Sequence, residues 1–183
     1  MLRLTLFLVV LSAAALSPAS AEIVKTADAS CREGAICFRW WPKLPDLAGW
    51  HSDDATNKTY GASILLPEGS TFADAPALIY GAATSKSKSE DVRSVADYIR
   101  KDTDGFREHD PGLRITEVDP LVTADGQSLR CFTFFPSGEG NWEKVAYGEE
   151  DDFFLVFTVS GRTEKDYTEA LPTFDGMVKA YRR

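Results

Sequence analysis

The sequence has little histidine, methionine or cysteine: two, two and three residues respectively in a chain of 183. Chemistry built on clustered imidazoles or thiolates therefore has few places to sit. A zinc site needs Cys and His pairs at ligand spacing, and Cys31, Cys37, His51, His109 and Cys131 do not supply them. There is no Gly-x-Ser-x-Gly elbow, no His-Glu-x-x-His pair and no phosphate loop, so no catalytic residue and no cofactor is expected. Positive charge is also short, with 20 Lys and Arg against 28 Asp and Glu and a net charge of −8. A surface of that sign repels phosphate backbones, which argues against nucleic acid as a partner. Repeats, Gln/Asn-rich tracts and long charge blocks are missing too, so loose structure is confined to loops.

One long apolar run is present, at the N-terminus. Arg3 precedes about 13 mostly apolar residues, 4–16, fewer than the ~20 that a membrane span needs. Ser17-Pro18-Ala19-Ser20-Ala21 follows, with small residues where a signal peptidase cuts. Basic, apolar and small-residue zones in that order form a secretory signal, with cleavage expected after Ala21 and a periplasmic or secreted product. Glu22, not Cys, would then come first, which argues against a lipid anchor, and no second stretch is apolar enough to leave a transmembrane segment. Loss of Arg3 makes the product one unit more negative. Its length suits a single core.

Export permits a disulfide. Gly34 allows a tight turn within Cys31-Arg32-Glu33-Gly34-Ala35-Ile36-Cys37, favouring a Cys31–Cys37 bridge. A long-range bridge from Cys131 to either is the rival, and one Cys stays odd in both cases. Cys131 alternates with Leu129, Thr133 and Phe135 and reads as a buried strand thiol.

Along the chain, residues 22–30 read as a loose leader, 36–41 as a short strand, and 50–54 as a polar loop after the Pro42 and Pro45 breaks. Residues 60–66 and 77–83 read as strands. Ser87 and Glu90 have capping-box spacing before Val92, Val95, Ala96 and Ile99 at helical spacing, and Gly105 suits the end of that helix. Strands follow at 114–121, 129–135 and 143–148, the first pair joined by the Asp125-Gly126 turn and the second by a loop at 136–141. An acidic turn, 149–152, leads into residues 153–160. There Phe153, Leu155, Phe157 and Val159 face one way and Phe154 and Val156 the other, so both faces need a cover. Thr163 and Asp166 can cap a last helix carrying Tyr167, Leu171, Phe174, Val178 and Tyr181 as an apolar stripe, with a kink or break expected at Pro172. Hairpin-length connections imply an α+β fold with helices laid on a mostly antiparallel sheet.

The segment Tyr60-Gly61-Ala62-Ser63-Ile64-Leu65-Leu66-Pro67-Glu68-Gly69 resembles the opening strand and turn of the PsbP-like superfamily, which includes bacterial DcrB-type periplasmic proteins. The helix at 89–104, the Asp125-Gly126 turn, Phe153-Phe154-Leu155-Val156-Phe157-Thr158 and Phe174-Asp175-Gly176-Met177-Val178-Lys179-Ala180-Tyr181-Arg182 follow in the family's order. The resemblance spans about residues 58–183, leaving 22–57 as a Cys- and Trp-rich extension. It implies an α/β/α sandwich, an antiparallel sheet with helices against both faces. It also implies non-enzymatic accessory, assembly or stress-linked binding roles, and it carries no catalytic set.

Candidate sites are weak. His51, Asp53 and Asp54 combine an imidazole with hard carboxylates, but they match no metal spacing and read as a solvated loop; Glu108-His109-Asp110 reads likewise. Glu149-Glu150-Asp151-Asp152 lacks the glycine and alternation of a calcium loop and reads as a charged hairpin tip. Trp40, Trp41, Trp50 and Trp142 are numerous, and exposed indoles make flat binding surfaces. Adjacent Trp40 and Trp41 cannot both point inward in an extended strand. Trp40, Trp41, Trp50 and His51 are thus the candidate binding residues of an exported, non-enzymatic binding or accessory protein, whose partner would be a protein or small molecule of the envelope. The alternatives are a periplasmic hydrolase or metal-dependent enzyme using His51 or His109 with nearby carboxylates, and a structural envelope-assembly factor. Asn57-Lys58-Thr59 is a glycosylation sequon that matters only in a eukaryotic host.

Overall fold

Alternating apolar residues in the second half of the chain build a large antiparallel sheet. The computed structural model describes residues 23–28, 37–89 and 91–183; the segment expected to be a secretory signal, and Cys31, lie outside them. The strands are β1 (Ile23–Asp28), β2 (Cys37–Pro42), β3 (Trp50–Ser52), β4 (Ser63–Pro67), β5 (Ala77–Ser85), β6 (Arg114–Val122), β7 (Ser128–Phe135), β8 (Trp142–Glu150) and β9 (Phe153–Gly161). The helices are α1 (Asp54–Tyr60), α2 (Val95–His109) and α3 (Glu164–Ala180). All nine strands join one sheet in the order β1-β2-β5-β9-β8-β7-β6, with β4 between β3 and β5. Every pairing is antiparallel. Residues 37–57 thus contribute strands to the same sheet as the rest of the chain.

The period of two assigns the core to two sides. Leu155, Phe157 and Val159 of β9 pack with Ile79, Cys131, Ala146 and with Tyr167, Ala170, Phe174, Met177 and Val178 of α3. On the other side, Val156 of β9 packs with Phe132, Phe134, Val145, Tyr147 and with Ile99 of α2. A third cluster, Ala62, Ile64, Leu66 and Ala75, gathers Leu78, Tyr80 and Ala82 of β5. Gly161 ends β9 where a Cβ would collide with the Tyr167 backbone, so the absence of a side chain lets α3 start against the strand.

Several expectations are corrected. Residues 23–28 are no loose leader: Val24 and Thr26 suit a strand, and β1 pairs with β2 from Ile23↔Pro42 to Asp28↔Cys37. Residues 50–54 are no loop either, because Trp50–Ser52 pairs with β4 and Asp53 caps α1. That helix takes in Tyr60, with Gly61 in the left-handed region at φ 67° as its cap, so β4 begins only at Ser63. The cap of α2 is Ser94, not Ser87: Asp97 N donates to Ser94 Oγ (3.1 Å) and Ser94 Oγ donates to Asp97 Oδ2 (2.9 Å). Val92 is buried ahead of the helix, and Ala96 is exposed. Gly105 does not end α2, which continues to His109. Proline does not break α3, which runs through Pro172. The lost backbone bond is outweighed by the buried stripe on either side of it. Residues 149–152 are only in part a turn, since β8 extends to a buried Glu150.

Cys131 is a buried free thiol, so the long-range bridge to it does not form. Cys31 lies outside the described residues, and the expected Cys31–Cys37 bridge with it. Among the described residues, no helix is long and apolar enough to cross a membrane.

Candidate functional site

The α2 side of the sheet becomes polar where its neighbour becomes a cleft. Register places Tyr80, Thr158 and Val145 side by side across β5, β9 and β8, with Ala82, Val156 and Tyr147 in the next row. Glu143 and Ser160 form the row on the other side of Thr158. Above these rows α2 presents Tyr98, Asp102 and Phe106 at helical spacing. The result is an inner cavity of about 170 Å³ lined by Tyr80, Ala82, Tyr98, Asp102, Phe106, Val145, Val156 and Thr158. Tyr98, Asp102 and Phe106 also line a groove of about 460 Å³, with Thr84, Lys101, Gly105 and His109 at its outer wall. Phe106 and His109 continue into a third hollow that reaches Glu143.

Hydrogen bonds and rings hold these walls. Tyr147 Oη donates to Asp102 Oδ2 (2.6 Å), joining β8 to the middle of α2. Tyr98 stacks on Phe154 with ring centroids 5.2 Å apart, and its hydroxyl lies 3.1 Å from Thr84 Oγ1. Phe106 lies against Phe134 at 4.8 Å.

The electrostatics are those of a desolvated acidic pocket. Burial pushes the Asp102 carboxyl above its ordinary range, and the Tyr147 hydrogen bond opposes this only in part. Burial also raises Glu143, against a hydrogen bond from Ser160 and with repulsion from Asp102 adding to the rise. Among the described residues neither carboxylate is in an ion pair. Tyr80 is raised by burial and then by the Glu143 charge, while a side-chain contact with Thr158, outside regular hydrogen-bond geometry, opposes the rise. Thr158 itself is fully buried, and its Oγ1 makes no hydrogen bond of regular geometry. A buried hydroxyl without a partner costs about 1–3 kcal/mol, so this one marks a place where a ligand atom would be welcome.

The residues singled out from the sequence sit elsewhere, except His109. Trp41 is buried, and Trp40 and Trp50 are half-buried. Trp40 lies between Phe153, 5.7 Å away, and the Lys88 ammonium, 4.4 Å from its ring. Trp50 packs on the α3-side core. Alternation sends Trp41 to the face opposite Trp40 and His51 to the face opposite Trp50, so the four do not share one surface. Trp142 packs on Phe135 at 4.7 Å. Asp53 is occupied as a helix cap, accepting from Ala55 N and Thr56 Oγ1. No group of three or more His, Cys, Asp or Glu able to hold a metal occurs among the described residues. Asn57 of the sequon is buried; its amide donates to Ser52 Oγ and its oxygen accepts from Ile64 N.

Asp102, Glu143, Tyr80 and Thr158 were missed, though signals for them exist. Asp102 interrupts the inward stripe between Ile99 and Phe106, and Thr158 and Ser160 interrupt the face begun by Phe154 and Val156. A polar residue on an otherwise apolar stripe is the informative kind of exception. No family model matches the chain, and no curated protein matches it.

Proposed function

We propose that the protein is an exported, non-enzymatic binding or accessory protein of the cell envelope whose ligand occupies the cleft beneath α2. The observation that carries this reading is the fully buried Thr158 hydroxyl in the cavity floor, without a hydrogen bond of regular geometry, with the desolvated Asp102 on the same wall and Glu143 in the adjoining hollow. A hollow of polar and aromatic groups with perturbed acids is the usual character of a small-molecule site. Export rests on the N-terminal sequence pattern. The two-sided core supports the α/β/α sandwich and the PsbP-like kinship, whose relatives bind or assemble rather than catalyse.

A broad thermal-shift screen tests the reading, since a ligand for the native state raises the melting temperature. Hits should stabilise the wild type and fail to stabilise Ala82→Phe, which fills the inner cavity. Equal shifts in both proteins would move the site elsewhere, and silence across the screen would favour an assembly role. A hydrolytic reading draws on one observation, that His109 and Asp102 share the groove wall. It requires turnover of an ester, phosphate or glycoside that disappears in His109→Ala.

A further inference from the structure

We infer that the cleft beneath α2 takes a small organic cation, an alkylammonium or quaternary ammonium group. The inference rests on the binding role proposed for that cleft and names its ligand class.

Three features of the cleft converge on positive charge. First, the one charged group on the wall of the inner cavity is a carboxylate, Asp102, set among the hydroxyls of Tyr80, Tyr98 and Thr158. Asp102 comes from α2 and receives the Tyr147 phenol at 2.6 Å, and Glu143 of β8 lines the adjoining hollow that shares Phe106 and His109 with the groove. Two carboxylates that repel each other in a desolvated space, with no ion pair to either among the described residues, lack a counter-charge. Burying an unpaired carboxylate is costly, and a bound cation removes that cost. Second, the walls are aromatic. Tyr98, Phe106 and Tyr80 line the same cavity, and ring faces attract alkylammonium groups, most strongly when water is excluded. Third, the floor holds the Thr158 hydroxyl, fully buried and without a regular hydrogen bond, available to a ligand N–H or O–H.

Size sets the rest. An inner cavity of about 170 Å³ is below the usual range for drug-sized ligands, so a group of a few heavy atoms fits. Lys101 and His109 stand at the outer wall, where both are exposed. Water screens their charge at the mouth more than it screens the carboxylates inside, so they oppose entry less than the carboxylates favour occupancy.

The test is calorimetric titration of the full mature protein with choline, tetramethylammonium and butane-1,4-diamine, and with 3,3-dimethylbutan-1-ol, the uncharged isostere of choline. At least one cation should bind saturably, and choline at least tenfold more tightly than its isostere if choline is the binder. Asp102→Asn and Glu143→Gln should each weaken the cation at least tenfold, with folding checked by circular dichroism. Affinity should increase as pH rises from 4 to 7, because cation binding favours the ionised carboxylates. An isostere as tight as choline would overturn the cation class and leave the cleft-binding role standing. So would silence of all three cations alongside screen hits that Ala82→Phe abolishes. Cation binding undiminished in both acid variants would overturn the site. No binding by any compound in either experiment would remove both readings together.

Discussion

The hydroxyl of Tyr181, just past the end of α3, donates to Glu150 Oε2 at the end of β8 across 2.7 Å, with both residues buried. Burial raises the phenol first and the carboxylate partner adds to it, so the phenol keeps its proton and serves as the donor. Tyr181→Phe deletes the donor and leaves a buried acceptor behind. The cost should be about 1–3 kcal/mol, read as a lower urea midpoint with an unchanged slope.

Thr158→Val should act in the opposite direction. It keeps the shape and removes a hydroxyl whose neighbour, the Tyr80 phenol, lies outside regular hydrogen-bond geometry. Unfolding free energy should rise by about 1–2 kcal/mol, while ligands of the cleft lose affinity. A stabilised protein with unimpaired ligand binding would show that the hydroxyl is not part of the site.

Asp102 and Glu143 give stability a distinct pH dependence. Their native pKa values are raised above the ordinary 3.8 and 4.5. Over the window above those values the folded chain retains protons that the unfolded chain has lost. Stability is therefore highest below the window and falls as pH rises through the native values. The groups facing Asp102 and Glu143 are Tyr80 and Ser160 from β5 and β9, Tyr147 from β8, and Tyr98, Lys101 and His109 from α2. Asp125 works the other way: hydrogen bonds from Thr123 and then Arg183 hold it low, and its share is lost as pH falls. Urea midpoints measured from pH 4 to 7 should show the first slope in wild type and a reduced slope in Asp102→Asn/Glu143→Gln.

Two glycines should respond in opposite ways to alanine. Gly105 lies inside α2, and a Cβ there meets nothing within 4 Å. Gly105→Ala should stabilise by about 0.5–1 kcal/mol. Gly161→Ala drives a Cβ into the Tyr167 backbone and should lower the melting temperature sharply. Thermal denaturation of the pair separates helix propensity from steric exclusion.

Cys131 should resist alkylation in the folded protein. It is fully buried, and burial raises its thiol pKa, which lowers the fraction of reactive thiolate. Peptide mapping after iodoacetamide treatment should find it unmodified in buffer and modified in denaturant.

The fold was legible where hydrophobic alternation was unbroken. Phe153, Leu155, Phe157 and Val159 announced strand β9, and Tyr167, Phe174 and Val178 announced α3. Caps were harder, because Ser87 with Glu90 and Ser94 with Asp97 share one spacing, and local sequence does not say which turn the tertiary contacts will choose. Residues 50–60 misled for a related reason: Asp53 and Asn57 look like loop residues, yet their side chains satisfy backbone donors that permit a short helix. The cleft was nearly invisible. Asp102 and Glu143 are 41 residues apart, and only the packing of α2 over β8 brings them to adjoining hollows. Conspicuous tryptophans drew notice because of their rarity as a type, whereas the perturbed groups are common residues in uncommon surroundings.

The register shift between Val118 and Leu121, with Pro120 inside it, lies in β6 at one rim of the sheet. A proline offers no amide to an incoming strand, and a bulge throws the flanking donors out of line. Asp119 beside it adds charge that resists a second chain. That rim is thereby a poor template for a further strand, and copies of the chain meeting at high concentration find little there to extend.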